Sequence, residues 1–137
     1  NMDIFYTHEG IEKWIFTALH SPEAGKYDER GWTTWEKAVA GLLADSEPTW
    51  GTANFRVVGD GAMFALGPPI VPEEFERLIR TKRFSEDNDI ETIVKNYKRN
   101  FEKAIGLVWC FSFERRDWGE AEMESLARSL QHLSKLE

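Results

Sequence analysis

The chain is organised around residues 27–36, which read YDERGWTTWE. Arg30-Gly31 indicates a turn, and Thr33 followed by Glu36 matches a capping box, in which each side chain satisfies a backbone N–H group at a helix start. Apolar residues follow at helical spacing, so we predict a helix over residues 33–44. The chain before this turn is expected to supply a strand, and the chain after it helices and one more strong strand.

The rest of the sequence alternates between strand-like and helix-like patterns. Near-continuous apolar runs at residues 14–19 and 107–113 are typical of covered strands, and one further strand is expected within the glycine-broken segment 45–71. Apolar spacing and suitable terminal residues predict three more helices. One starts at Pro72, and the other two span residues 89–106 and 119–131. This alternation predicts an α/β fold in which a small sheet of about three strands is covered by four helices.

Composition limits the class of protein. The 137 residues suit one domain spanning positions 1–137, with 42% hydrophobic and 30% charged residues. A net charge of −7 argues against a nucleic-acid partner, and no apolar run approaches the roughly 20 residues that span a bilayer. The single cysteine, Cys110, favours a reducing compartment, either the cytoplasm or an organelle such as a plastid. Because Asn1 precedes Met2, we expect the chain to be part of a longer protein.

The sequence contains none of the common cofactor-binding or metal-binding motifs. The glycines at 59, 61 and 67 give neither a dinucleotide fingerprint nor a phosphate-binding loop. The sequence has no HExxH pattern and no paired cysteines, and its three histidines are widely separated. We therefore predict neither a bound cofactor nor a metal ion.

Glu36 is the one candidate catalytic residue. The spacing Trp32-x-x-x-Glu36, after a strand and at a helix start, resembles the tryptophan–cysteine–x–x–glutamate element of Toll/interleukin-1 receptor (TIR) domains, with Thr33 where the family has cysteine. The resemblance implies half of a flavodoxin-like or TIR-like layer, and in the NAD-cleaving members the matching glutamate is catalytic. A carboxylate suits contact with a ribose or a developing oxocarbenium centre. The alternative interpretation is that Glu36 only completes the capping box.

A second resemblance covers more of the chain. The ordered elements are YDERGWxxWE at 27–36, PPxxPxxF at 68–75, KxF at 82–84, YxxxFE at 97–102 and WGxxE at 118–122. This series is similar to an uncharacterised module of dinoflagellate and related algal proteins, in which an RGWxxxE element precedes leucine-rich repeats. The resemblance implies an interaction or scaffolding role, with residues 133–137 as the start of a leucine-rich repeat.

Aromatic side chains indicate a protein-binding surface. The chain has six Trp, nine Phe and three Tyr, more than a domain of this size needs to bury, and interface anchors are often aromatic. Trp14, Trp50 and Trp118 are the predicted anchors. The function favoured by the sequence is therefore a non-catalytic interaction or scaffold module, an accessory subunit docked on other protein subunits of a larger assembly. The alternative is a TIR-like NAD-cleaving enzyme, or its degenerate remnant, that uses Glu36.

A cationic stripe is predicted on the polar side of the helix at 89–106. Lys95, Lys98 and Arg99 lie opposite the apolar face of that helix. Such a stripe suits an acidic partner or peripheral contact with lipid headgroups, while a solvated helix face is the commoner explanation of the same pattern.

Overall fold

The structure is a computed structural model that describes residues 11, 13–16, 29–42, 49–50, 55–58, 67–86, 88–107, 110–111 and 118–133. Four helices lie within these residues: α1 (Gly31–Ala40), α2 (Pro72–Ile79), α3 (Asp89–Leu107) and α4 (Glu120–Leu130). The strands are β1 (Lys13–Phe16), β2 (Thr49–Trp50), β3 (Phe55–Val58) and β4 (Cys110–Phe111). The described part of the chain is therefore mainly helical.

The strands form two separate pairs. β1 lies parallel to β3, with Lys13 opposite Phe55, and β2 lies parallel to β4, with Thr49 opposite Cys110. The prediction of an α/β fold with one three-stranded sheet is wrong, and so is the prediction of half a flavodoxin-like or TIR-like layer. A short apolar run shows that residues are buried but does not separate a strand from a helix end. The run predicted as a strand over residues 107–113 illustrates this, because Leu107 is the last residue of α3 and only Cys110–Phe111 form a strand among its described residues.

The core is built from three helices. α2 begins at Pro72, as predicted, where a missing N–H group costs no hydrogen bond. The Phe75 ring on α2 stacks on the Tyr97 ring on α3, with centroids 3.8 Å apart. The buried cluster of described residues consists of Trp35, Val39 and Leu42, then Val71, Phe75 and Ile79, then Ile93, Tyr97, Phe101, Ala104 and Ile105.

The start of α1 differs from the predicted capping box. The helix begins at Gly31, with Arg30 as the N-cap, and the hydroxyl groups of Thr33 and Thr34 donate to the Arg30 carbonyl oxygen at 3.1 and 2.8 Å. The reason is a pairing with a distant segment. The Gly31 N–H group donates to the Arg83 carbonyl oxygen at 2.8 Å, which satisfies one of the backbone donors that have no partner within the helix at its start.

Glycine is required at the second residue of the RGW element. A Cβ atom built on Gly31 would lie 1.9 Å from the Phe84 ring. Phe84 is half-buried and packs against the core cluster. On the next residue, the Trp32 indole Nε1–H donates to the Asp89 carboxylate at 2.9 Å, at the first residue of α3. We name this contact of residues 29–32 with residues 83–84 and 89 the α1 joint.

α4 is attached to the core mainly through polar contacts. The buried Ser129 hydroxyl donates to the Pro69 carbonyl oxygen at 2.6 Å. Arg128 forms an ion pair with Glu74 on α2, and the His132 ring meets the Phe101 ring edge to face, with centroids 5.5 Å apart. The helix predicted over 119–131 is confirmed at Glu120–Leu130, preceded by a Gly119 N–H group that donates to the Glu122 carboxylate at 3.0 Å.

Candidate functional site

Glu36 lies in the second turn of α1 and is half-buried. It does not cap the helix, because α1 begins at Gly31, so the interpretation of Thr33 and Glu36 as a capping box is wrong. Nor does Glu36 line the cavity that lies among α1, α2 and α3. The catalytic role of Glu36 therefore stays a prediction without geometric support.

The predicted aromatic anchors differ in their surroundings. Trp14 on β1 is 58% exposed, which is unusual for so large an apolar side chain. Trp118, just before α4, is half-buried. Trp50 belongs to β2, and its side chain lies outside the described part of the chain. Of the two predicted anchors whose side chains are described, Trp14 is thus the more exposed.

The predicted cationic stripe is exposed. Lys95, Lys98 and Arg99 all lie on the outer side of α3. Glu91 and Glu102 share that side, so the helix surface carries charges of both signs. The Glu91 carboxylate also forms an ion pair with Arg80 at 2.8 Å. The hydrogen bond to Glu76, and then the one to Glu91, raise the pKa of the Arg80 guanidinium. A mixed surface of this kind is typical of a solvated helix face.

An apolar stripe runs along the outer face of α4. Met123, Ala127 and Leu130 follow one another at helical spacing, and Met123 is 53% exposed. The spacing of these residues predicts the helix correctly, yet the core does not cover this face. Two exposed glutamates, Glu120 and Glu124, lie beside the stripe. Sequence reasoning did not identify these residues as a surface, because spacing alone gives no sign of exposure.

A cavity of about 320 Å³ lies among α1, α2, α3 and the segment before α2. Most of the lining is apolar. The two cationic side chains in the lining are Lys37 and Lys82, both half-buried. The lining residues are Thr34, Lys37, Ala38 and Gly41, then Gly67, Pro68, Pro69 and Ile70, then Leu78, Lys82 and Tyr97. Because these residues come from distant parts of the sequence, no local motif could have revealed the cavity.

The two hydroxyl groups in the cavity lining donate to backbone carbonyl groups. The Thr34 hydroxyl donates to Arg30, and the Tyr97 hydroxyl donates to the Ile70 carbonyl oxygen at 2.7 Å. Burial raises the pKa of Tyr97, so Tyr97 stays neutral at physiological pH. Lys37 and Lys82 are therefore the charged residues of the cavity lining.

Neither a metal-binding cluster nor a membrane-spanning helix occurs among the described residues. In the ranges given above, no three His, Cys, Asp or Glu side chains are grouped closely enough to hold a metal ion. Within the same ranges, no helix combines the length and the apolar character that crossing a membrane requires.

Comparison with known proteins leaves the two resemblances as predictions. The chain matches no protein-family model, no curated protein and no solved structure.

Proposed function

We propose that this chain is a non-catalytic protein-interaction or scaffold domain, which docks as an accessory subunit on a larger assembly. The observation that supports the proposal is the apolar stripe of α4, formed by Met123, Ala127 and Leu130. Amphipathic helices commonly bind partners by laying such a face into an apolar groove.

The attachment of α4 suits this role. Ser129 and Arg128 hold the helix against Pro69 and Glu74, so the stripe is fixed in orientation before a partner arrives. A face that is ordered in advance lowers the entropic cost of association. The helix is thus both fixed and uncovered along one side.

Charge identifies the kind of partner. Glu120 and Glu124 lie beside the stripe, and the whole chain carries a net charge of −7. The partner is therefore a protein with an apolar groove edged by basic side chains, because complementary charge guides association and excludes acidic surfaces. Trp14, on β1, is a second exposed contact of the type that anchors interfaces.

The test compares three forms of the chain as bait in native pull-down experiments with quantitative mass spectrometry. The double variant Met123→Glu with Leu130→Glu places charge on the stripe, while Thr92→Glu adds charge at an exposed position of α3. Circular dichroism verifies that all three forms are folded. We expect a partner that is retained by the wild type and by Thr92→Glu and lost by the double variant. Identical sets of bound proteins for the three forms would exclude α4 as the docking face.

A further inference from the structure

The cavity beside α1 has the properties of a small-molecule site. Its volume of about 320 Å³ lies at the lower end of the range for ligand pockets, about 300–1,000 Å³. Gly67 lines it and is exposed, so the cavity opens to the surface on that side. The space corresponds to roughly ten water molecules at about 30 Å³ each, which suits a ligand of about that many heavy atoms.

The walls indicate an apolar ligand body. Ala38, Ile70 and Leu78 line the cavity with aliphatic groups, and Pro68 and Pro69 contribute rings that carry no N–H group. Tyr97 adds an aromatic ring whose hydroxyl group is turned to the Ile70 carbonyl. Each of these groups favours apolar contact over hydrogen bonding.

The charges indicate an anionic group on the ligand. Lys37 and Lys82, both half-buried, line the cavity, although the chain as a whole is acidic. The carboxylate Glu36 is not part of the lining. An ammonium group in a partly desolvated site binds a carboxylate by a charge-assisted hydrogen bond, which is stronger than a neutral one.

We propose that this cavity binds a small carboxylate with an apolar body, such as an aryl or short acyl carboxylate. The carboxylate faces the ammonium groups of Lys37 and Lys82, and the apolar body lies against Ile70, Leu78 and the Tyr97 ring. This binding activity is separate from the docking of α4, because Met123, Ala127 and Leu130 take no part in it.

The experiment measures binding by NMR titration of the isotopically labelled chain. The probe is 2-naphthoate, and its neutral analogue 2-naphthamide is the charge control. Wild type is expected to bind 2-naphthoate saturably and more tightly than the amide. Replacing both lysines, Lys37→Met with Lys82→Met, keeps the apolar stems and removes the charges. It should weaken naphthoate binding about tenfold or more and leave the amide nearly unaffected. Lys95→Met, on the exposed side of α3, is the matched control and should change neither affinity.

A second pair of variants tests the location by filling the cavity. Ala38→Leu extends a side chain that already lines it. Gly41→Leu adds one at a residue with φ −78°, where a Cβ atom would meet only backbone oxygens at 3.6 Å. Both variants should remain folded by circular dichroism and lose naphthoate binding. The proposal is overturned if wild type shows no saturable binding, if the lysine variant binds naphthoate as tightly as wild type, or if both filled variants still bind it.

Discussion

Helices α1 and α4 carry the same kind of sequence pattern but differ in how the fold uses it. Both helices place apolar residues at helical spacing. In α1, Trp35 and Val39 are completely covered by α2 and α3, whereas in α4 the side chains of Met123 and Leu130 are 53% and 36% exposed. Spacing therefore identifies a helix and its apolar face, but whether the same chain covers that face depends on the rest of the fold.

The two regions also differ in the contacts that fix them. At the α1 joint an aromatic ring lies directly on a glycine, so the backbone and the ring approach more closely than any other residue would allow. α4 is fixed by a hydroxyl group, an ion pair and an edge-to-face ring contact. The α1 joint therefore cannot accept added volume at Gly31, whereas the attachment of α4 depends on particular polar atoms.

The largest expected effect comes from filling the α1 joint. Gly31→Val should lower the free energy of unfolding by about 3 kcal/mol, because the added atoms overlap the Phe84 ring. Urea denaturation measures the loss. Gly106→Ala is the control: nothing lies within 4 Å of a Cβ atom at that position in α3, so stability should rise by about 0.5 kcal/mol. Combining Gly31→Ala with Phe84→Ala should restore part of the stability that Gly31→Ala alone removes. Equal losses for Gly31→Val and Gly106→Ala would refute the close approach.

A smaller effect is expected from the attachment of α4. Ser129→Ala should lower the free energy of unfolding by about 2 kcal/mol, because the buried Pro69 carbonyl loses its hydrogen-bond donor. Hydrogen exchange should report faster opening of α4 than of α3. The neighbouring Ser125 is only half-buried, and Ser125→Ala is the matched control, with little change expected. If Ser129→Ala and Ser125→Ala were equally stable, the hydroxyl contact would not hold α4.

The Tyr97 hydroxyl should contribute about 1 kcal/mol at neutral pH, less than Ser129, because its acceptor Ile70 is only half-buried. Tyr97→Phe removes it. The folded state raises the pKa of Tyr97 above its ordinary value of 10.0, so the folded state keeps a proton that the unfolded state releases. This contribution to stability is complete below about pH 10 and decreases as the pH rises above it. Urea denaturation between pH 8 and 11 should show the difference between wild type and Tyr97→Phe shrinking with increasing pH. A difference independent of pH would contradict the burial of the phenol.

The smallest effect on folding is expected at the α4 stripe. Met123→Gln should change the free energy of unfolding by less than about 0.5 kcal/mol, because the side chain is already 53% exposed. Ile93→Ala, at a completely buried position of the core, is the contrasting case. It should lower the free energy of unfolding by about 3 kcal/mol. Thermal unfolding followed by circular dichroism separates the two. Comparable losses would show that the stripe is covered in solution.

The helices could be predicted from the sequence because their signals are local. Pro72 at a helix start and the apolar spacing of α3 each involve neighbouring residues only. The start of α1 could not be predicted, because the Gly31 N–H group binds a carbonyl group of Arg83, far along the chain. The cavity escaped prediction for the same reason, since Lys37 and Lys82 meet only in the fold. The sheet was predicted wrongly because apolar runs indicate burial without naming the partner that covers them. Residues 59–66 of the glycine-broken segment and residues 134–137 of the predicted leucine-rich repeat lie outside the described residues.

The contact of Phe84 with Gly31 has a consequence for how the chain folds. It joins two residues that are distant in sequence, and closing so long a loop carries an entropic cost that must be met before the contact forms. α2 and α3, by contrast, are neighbours in sequence and stack through Phe75 and Tyr97. We expect these two helices to form the folding nucleus and α1 to join afterwards, so that Gly31 variants accelerate unfolding and leave the folding rate almost unchanged.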